Sequence, residues 1–177
     1  TGEGVILNGN QLGCLLAEDL LTHGAQVPNR MVATTIVSSG LLAHIAKAHD
    51  AVCVETLTGF KWIGHAALAH PGPFVIGYEE ALGYSIGSVV RDKDGLSAAL
   101  ILLDLAQWCR TRGLTLYDQL VALYRRYGYW ASEQKAMVLQ GDAGRRRIAE
   151  IIDGLRSDPP TEIGGRAVVF LRVGADA

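Results

Sequence analysis

Residues 31–77 read MVATTIVSSGLLAHIAKAHDAVCVETLTGFKWIGHAALAHPGPFVIG and alternate between strand-like and helix-like segments. Short runs rich in β-branched and other apolar residues predict strands, and apolar residues three and four positions apart predict helices. The predicted strands are Met31–Val37, Ala51–Glu55 and Phe74–Gly77, and the predicted helices run from Ser39, as N-cap, to His49 and from Phe60 to Ala69. Strand–helix–strand units of this size favour a parallel sheet with helices on both faces.

The pattern continues on either side of this stretch. A helix is predicted over Asn8–His23, with Gly24 ending it in the left-handed conformation. Further predicted helices span Leu96–Arg112, Thr115–Tyr127 and Gly144–Leu155, and further strands are predicted over Trp130–Val138 and from Val168 to Leu171. Thr115 and Asp118 have the spacing of a capping box. The predicted fold class is therefore α/β, with a mostly parallel sheet and extra helices in the C-terminal third.

The composition of the 177 residues excludes several classes of protein. With 49% hydrophobic and 19% charged residues, the chain has enough apolar material for a core and is not a disordered tail. A net charge of −2 gives no electrostatic sign of nucleic-acid binding. The sequence has no apolar run of about 18 residues, so no membrane span is predicted. Three widely spaced cysteines fit buried reduced thiols in a cytoplasmic protein better than disulfides or a zinc motif.

Three loops with polar residues leave the predicted sheet where open parallel sheets bind ligands, at the carboxyl ends of the strands. The first loop contains Thr58, Gly59 and Lys61. A Thr-Gly turn at a helix N-terminus offers N–H groups and a hydroxyl to an anion, and the lysine adds positive charge. The alternative is an ordinary strand-to-helix turn with a capping threonine.

The second and third loops carry charged side chains. Glu79 and Glu80 directly follow a buried strand, where carboxylates are costly unless they are paired. Their oxygens suit the hydroxyl donors of a sugar; the alternatives are a solvated turn or a metal site, which diverging adjacent side chains disfavour. Lys93 lies between Asp92 and Asp94 and is suited to donating a proton or binding a phosphate. A loop of local ion pairs, with Asp94 capping the next helix, is the alternative.

Several catalytic motifs are absent from the sequence. It contains no Gly-x-Gly-x-x-Gly, no P-loop, no Gly-x-Ser-x-Gly elbow, and no serine or cysteine with a matched histidine and aspartate. A generic nucleotide-binding domain also fits poorly, because the turns at Ser38-Ser39-Gly40 and Thr58-Gly59 are not glycine-rich phosphate loops. The chain therefore holds no complete catalytic apparatus.

The three loops, in order, closely resemble the third domain of the α-D-phosphohexomutases, the phosphoglucomutase/phosphomannomutase superfamily. They read Thr58-Gly59-Phe60-Lys61-Trp62-Ile63, Gly77-Tyr78-Glu79-Glu80-Ala81-Leu82-Gly83-Tyr84 and Arg91-Asp92-Lys93-Asp94-Gly95-Leu96-Ser97-Ala98-Ala99. The resemblance covers essentially the whole chain and implies four segments. Residues 1–8 end a preceding domain, 9–128 form the sugar-binding α/β domain, 129–165 add a strand, a helix and a linker, and 166–177 begin a C-terminal domain.

The resemblance implies an isomerase that moves a phosphoryl group between the 1- and 6-positions of a phosphosugar. The family uses a phosphoserine and a Mg²⁺ site in other domains, and a bisphosphosugar serves as intermediate and activator. By similarity, Glu79 binds sugar hydroxyls, Glu80 supports its loop, and Lys93 acts as the catalytic residue near the transferred group. Thr58 and Gly59 would line the cleft. The predicted substrate-binding residues are Thr58, Gly59, Lys61, Glu79 and Glu80. No metal ligand is assigned in this chain.

The chain also departs from the family pattern. The phosphoserine loop, the Asp-rich metal loop and the phosphate loop of the fourth domain do not occur in it. We therefore expect a portion of a longer enzyme, inactive by itself, whose partners are a phosphosugar and the other domains, with neither nucleic acid nor membrane. Ala81 replaces a serine of glucose-type members, which favours a phosphopentomutase-like branch and leaves glucose, mannose and pentose phosphates open as substrates. A non-catalytic module that binds sugar phosphates is the alternative.

Overall fold

The computed structural model of the chain describes residues 4–132 and 137–169, which fall into two compact units, one ending at Ser132 and one following it. The first unit contains α1 (Gly9–His23), β1 (Met31–Thr35), α2 (Leu41–Ala48), β2 (Val52–Thr56), α3 (Phe60–Ala69), β3 (Phe74–Glu79), β4 (Gly83–Ile86), α4 (Gly95–Thr111) and α5 (Leu116–Tyr127). The second contains α6 (Gly141–Ser157) and the short antiparallel strands β5 (Glu162–Ile163) and β6 (Arg166–Ala167).

The four-stranded sheet of the first unit has the order β2-β1-β3-β4. Strand β1 is parallel to both β2 and β3, which confirms the predicted parallel sheet. Thr35 at the end of β1 pairs with Thr56 at the end of β2, and Thr34 pairs with Tyr78 near the end of β3. The carboxyl ends of the three parallel strands therefore lie along one edge of the sheet.

Strand β4 differs from the sequence-based expectation of a loop over Gly77–Tyr84. β4 runs antiparallel to β3, and Glu79 pairs with Gly83 across a tight turn. The turn closes because Leu82, exposed at its tip, adopts a left-handed backbone conformation with φ of 65°. Leucine rarely adopts this conformation, so the local sequence did not predict the hairpin.

Helices cover both faces of the sheet, as predicted. On one face α1, α2, α4 and α5 enclose the larger core, to which the sheet contributes Val32, Ile76 and Tyr78. On the other face α3 packs on Met31 and Ala33. Neighbouring residues of β1 thus serve opposite cores, and all five residues of the strand are buried.

The N-terminus of α1 packs against the β3–β4 hairpin. A side-chain carbon added at Gly9 would lie 2.0 Å from the carbonyl oxygen of Glu80, so only glycine allows this approach. The Tyr84 hydroxyl donates a hydrogen bond to the carbonyl oxygen of Gly9 at 3.2 Å. Gly13, one turn later, lies directly against the ring of Tyr78. The hairpin is therefore held by a helix as well as by the sheet.

Two predicted helix ends are wrong in detail. The N-cap of α2 is Gly40 rather than Ser39, although the Ser39 hydroxyl still accepts from the N–H of Leu41 at 3.3 Å. Gly24, after α1, has φ of −75° and is extended rather than left-handed, and its N–H bonds the carbonyl of Leu20. The capping box of Thr115 and Asp118 is confirmed.

The predicted strand over Trp130–Val138 is wrong where the structure describes it, at residues 130–132 and 137–138; residues 133–136 lie outside the described part. Trp130 is used for packing instead, with its ring 4.9 Å from that of His44 and its indole N–H donating to the Tyr127 carbonyl. The strand predicted from Val168 occurs earlier, at Arg166–Ala167; residues 170 and 171 are likewise outside the described part. Helix α6 begins three residues before its predicted start.

The three cysteines are free, with Cys14 and Cys109 buried and Cys53 half-buried. Burial raises the pKa of Cys14 and of Cys53 to about 12, so both thiols stay protonated near neutral pH. Among the described residues, no helix combines the length and apolar character needed to cross a bilayer.

Candidate functional site

The three predicted loops meet at the carboxylate of Glu79, the last residue of β3. One carboxylate oxygen, Oε1, accepts the backbone N–H of Gly59 at 2.7 Å. The other, Oε2, lies 3.4 Å from the ammonium of Lys93. The Glu79 side chain is only 12% exposed, whereas that of Lys93 is 52% exposed. The site is thus a shielded carboxylate beside a cation that is open to solvent.

Gly59 reaches Glu79 because of its own backbone conformation. Its φ of 108° is accessible to glycine and strained for other residues, and it is the N-cap residue of α3. No side chain of its own segment caps this helix, so the alternative of an ordinary turn with a capping threonine is wrong. The carboxylate of Glu79, from another strand, instead accepts the N–H of the cap residue.

Lys93 is held in place by the chain on either side of it. Its own N–H donates to the Asp92 carboxylate at 2.7 Å, and the N–H of Asp94 donates to the Tyr84 carbonyl of β4 at 2.6 Å. Asp94 then caps α4 by accepting from the N–H groups of Leu96 and Ser97. The hydroxyl of Ser97 also donates to this carboxylate, and these hydrogen bonds hold the pKa of Asp94 below its ordinary value. The local alternative, a capping Asp94, therefore coexists with a Lys93 that faces Glu79.

Glu80 has a different set of partners from Glu79. Its Oε2 accepts from the hydroxyls of Thr35 at 3.3 Å and of Ser38 at 3.1 Å, and these two hydroxyls lie 2.8 Å apart. Thr35 is fully buried at the end of β1. Glu80 therefore ties the hairpin to the loop that follows β1.

Sequence reasoning missed Thr35 and Ser38 as members of the site. The position of Ser38 was nevertheless a usable signal, because it directly follows the predicted parallel strand Met31–Val37. Thr35 lay inside that predicted strand and is the last residue of β1 in the structure. The missing information was which of the loops at this edge Glu80 would reach, and that depends on how the strands are ordered in the sheet.

Thr58 and Lys61 remain at the rim of the site. Both are exposed, and the Lys61 ammonium lies 5.3 Å from the ring centre of Trp62 rather than beside Glu79. The structure therefore brings Gly59, Glu79 and Lys93 together. Thr58, just before Gly59, and Lys61, in the first turn of α3, flank them.

The described residues do not offer a metal centre. Within residues 4–132 and 137–169, no three histidine, cysteine, aspartate or glutamate side chains are grouped to hold an ion. The chemistry available at this edge is instead that of a carboxylate, a backbone N–H and a solvent-exposed ammonium. Such groups bind hydroxyl donors and anions, and together they fit a ligand that carries both.

The fold and this edge define an α/β/α domain that presents a carboxylate–lysine pair where open sheets bind small ligands. The chain belongs to the phosphoglucomutase/phosphomannomutase family, whose α/β/α domain III matches residues 8–127. The family resemblance inferred from the loops is thereby confirmed.

Individual relatives agree with this assignment. The chain is 38% identical over 160 residues to a protein of Haemophilus influenzae named "Probable phosphomannomutase", covering 90% of this chain and 31% of that protein. It is 34% identical over 176 residues to the "Probable phosphoribomutase" of Schizosaccharomyces pombe, covering 93% and 30%. It thus spans just under a third of the length of these curated relatives.

A solved structure supports the fold alone. The open form of pp63/parafusin, a phosphoglucomutase from Paramecium, matches 70% of this chain and 21% of its own with a TM-score of 0.55. The sequence identity is 22%, so the likeness concerns the arrangement of strands and helices.

Proposed function

We propose that this chain is the sugar-binding domain of a phosphosugar mutase that interconverts 1- and 6-phosphosugars through a phosphoserine and a bisphosphosugar intermediate. The observation that carries the proposal is the convergence of Gly59, Glu79 and Lys93 at the carboxyl edge of a family domain. Residues 9–128 form the proposed domain, with the following segments leading to a C-terminal domain.

Glu79 is the proposed acceptor for sugar hydroxyls. An ionised carboxylate has about four lone-pair sites on its two oxygens, and Gly59 and Lys93 engage one on each oxygen. The remaining sites suit two neighbouring hydroxyl donors of a sugar ring. Because the Gly59 N–H fixes one oxygen, the carboxylate keeps its orientation when a sugar replaces the ammonium at the other.

Lys93 is the proposed catalytic residue. Phosphoryl transfer depends on positioning and on positive charge near the transferred group, and Lys93 supplies a solvent-exposed ammonium. Thr58, Gly59 and Lys61 are the proposed contacts to the rest of the substrate at the rim, and Glu80 supports the hairpin through Thr35 and Ser38.

The remaining catalytic parts are assigned to other domains of a longer enzyme. These are the phosphoserine and a Mg²⁺ site, with the bisphosphosugar as activator; when bound, the metal would supply charge stabilisation to the phosphoryl group. Because the described residues do not form a metal site, this proposal gives the metal no ligand among them. The 177 residues alone are therefore proposed to be inactive, and the free, protonated thiols support a reducing, cytoplasmic compartment.

A coupled mutase assay on the complete gene product tests this proposal. We expect interconversion of the phosphate position on at least one of glucose, mannose or ribose phosphate, and no turnover by the 177-residue chain. A complete gene product that converts none of these sugars but binds them would contradict the mutase and favour a non-catalytic binding module. Robust turnover by the 177 residues would overturn the proposed inactivity.

A titration followed by NMR separates sugar recognition from nucleotide recognition. Glucose 1-phosphate, mannose 1-phosphate or ribose 1-phosphate should shift the amide signals of residues 58–61, 79–80 and 93 in the complete gene product. The matched probe is AMP, which carries a phosphate and a ribose but should leave these signals in place. Equal shifts with AMP would indicate a nucleotide site instead.

A further inference from the structure

Lys93 has a second partner besides Glu79. Its ammonium lies 4.7 Å from the ring centre of Phe60, within the distance of about 6 Å at which a cation is attracted to an aromatic face. Glu79 Oε2 lies 3.4 Å from the same nitrogen. The ammonium of Lys93 thus lies near two groups, the carboxylate of Glu79 at the end of β3 and the ring of Phe60 at the start of α3.

The ring of Phe60 is a fixed partner, because the core holds it. Phe60 is the first residue of α3, only 5% exposed, and belongs to the core cluster of Met31, Ala33 and Ile63. Its ring therefore loses little additional freedom when it meets a cation.

Lys61 and Trp62 provide an internal contrast to this pair. The Lys61 ammonium lies 5.3 Å from the ring centre of Trp62, and that tryptophan is 42% exposed. A cation–aromatic contact between two solvated side chains contributes little. The two lysines of the site therefore differ in how firmly their aromatic partners are anchored.

Gly83 provides the space through which Lys93 reaches Glu79. A side-chain carbon at position 83 would lie 2.9 Å from Cε of Lys93 and 3.3 Å from Oε2 of Glu79. The φ of Gly83 lies outside the left-handed region, so the backbone itself does not require glycine here. The requirement is the room taken by the lysine side chain.

We propose that Phe60 and Gly83 are positioning residues that keep the Lys93 ammonium at the site, the ring by attraction and the glycine by leaving its path open. This inference rests on the proposed mutase function and extends it. Sugar hydroxyls compete with Lys93 for the Glu79 carboxylate, but they do not compete for the face of a buried ring. Phe60 therefore retains the ammonium near the substrate after the sugar has taken its place at Glu79.

The decisive comparison is Phe60→Leu against Phe74→Leu in the complete gene product. Both changes remove a phenyl ring that packs in the same core cluster, but only Phe60 contacts Lys93. With Phe60→Leu we expect kcat to fall about fivefold with KM little changed, since a cation–aromatic contact of this kind contributes on the order of 1 kcal/mol. Equal losses in the two variants would assign the effect to core packing and overturn the proposal.

A spectroscopic readout tests the geometry independently of catalysis. The ring current of Phe60 should move the Lys93 ε-methylene signals upfield in protein labelled at the lysine ε-carbon, and Phe60→Leu should abolish this displacement while Phe74→Leu preserves it. Unchanged Lys93 shifts in Phe60→Leu would overturn the contact. If the shift behaves as expected but no phosphosugar is converted, the mutase function fails and the positioning stands.

Gly83→Ala provides a second variant that keeps the ring and the core intact. The added methyl group displaces the flexible end of Lys93, so the upfield shift should disappear although Phe60 is present. The matched control is Gly64→Ala on α3, where the nearest atom to an added carbon is at an ordinary 3.5 Å. A Gly83→Ala protein that retains both the shift and full kcat would show that position 83 does not control the lysine.

Discussion

Glu79 and Glu80 are adjacent residues of one type at the end of one strand, and their surroundings differ. Glu79 meets the N–H of Gly59 and the solvent-exposed ammonium of Lys93. Glu80 meets two hydroxyls, of which that of Thr35 belongs to a fully buried residue. The first carboxylate therefore has one partner, the Lys93 ammonium, that a ligand can replace, and the partners of the second hold the fold together.

The difference arises from the end of the strand. Successive side chains of a strand alternate between its faces, so two neighbours seldom share surroundings. Glu79 is the last paired residue of β3, and Glu80 begins the turn where Gly9 of α1 contacts its carbonyl oxygen. The two adjacent glutamates therefore differ in role: Glu79 is open to a ligand, and Glu80 supports the loop.

The largest expected effect separates the two carboxylates in catalysis. In the complete gene product, Glu79→Gln should lower kcat/KM for the phosphosugar by roughly 10- to 100-fold, because a charged hydrogen-bond acceptor contributes about 1.5–3 kcal/mol. Glu80→Gln should lower it only about two- to threefold, since the amide oxygen can still accept from both hydroxyls. Steady-state mutase kinetics measure both, and equal losses would remove the functional distinction.

The next largest effect should distinguish Lys93 from Lys61 in steady-state kinetics. Lys93→Met should lower kcat about tenfold, because it removes the charge beside Glu79. Lys61→Met should raise KM about threefold with kcat retained, because an exposed cation attracts the phosphate without reaching the carboxylate. The KM effect should shrink at high salt, and a salt-independent loss of kcat in Lys61→Met would place this lysine in the chemical step instead.

In the free energy of unfolding, Glu80 should matter more than Glu79, the reverse of the order expected for catalysis. A double-mutant cycle with Ser38→Ala and Glu80→Ala, each of which removes the hydrogen bond, should give a coupling free energy of about 1 kcal/mol, the usual contribution of a partly buried hydrogen bond. The matched cycle with Glu79→Gln and Lys93→Met should give about 0.5 kcal/mol or less, because the Lys93 side chain is half-exposed. Urea unfolding measures both cycles, and a larger coupling for the Glu79 pair would reverse the comparison.

The smallest expected effect concerns Asp94, the cap next to Lys93. The Ser97 hydroxyl and N–H bond its carboxylate and hold its pKa below the ordinary 3.8. A pKa lowered in the folded chain means that the ionised cap stabilises the fold above pH 3.8, and that this contribution is lost as the pH falls through the folded pKa. Asp94→Asn keeps a capping side chain but should flatten part of this acid dependence, as followed by circular dichroism. An acid-unfolding curve that keeps its full slope would assign the dependence to other carboxylates.

Local patterns in the sequence predicted most of the first unit. The helices, the three parallel strands, the capping box at Thr115 and the Asp94 cap each depend on residues a few positions apart. The predicted meeting of loops at one edge follows from the rule for parallel sheets and holds for Gly59 and Glu79. Lys93 reaches the same edge by a different route, because its loop follows the antiparallel strand β4 and returns to Tyr84.

The errors fall where distant residues decide the outcome. Strand β4 forms through pairing with β3 and a left-handed Leu82, which no local signal announces. The strand predicted at Trp130 fails because the ring packs on His44, far away in the sequence. Apolar periodicity predicts that a residue is buried, but it does not predict which distant residues pack against it.

The sequence by itself determined the α/β class, the family and the three loops that carry the site, because these depend on local periodicity and on short motifs. Only the tertiary structure decided which of two adjacent glutamates meets the lysine, which hydroxyls hold the other, and that a core phenylalanine faces the ammonium. Those pairings depend on strand order and on side-chain directions set by packing, and residues far apart in the chain determine both.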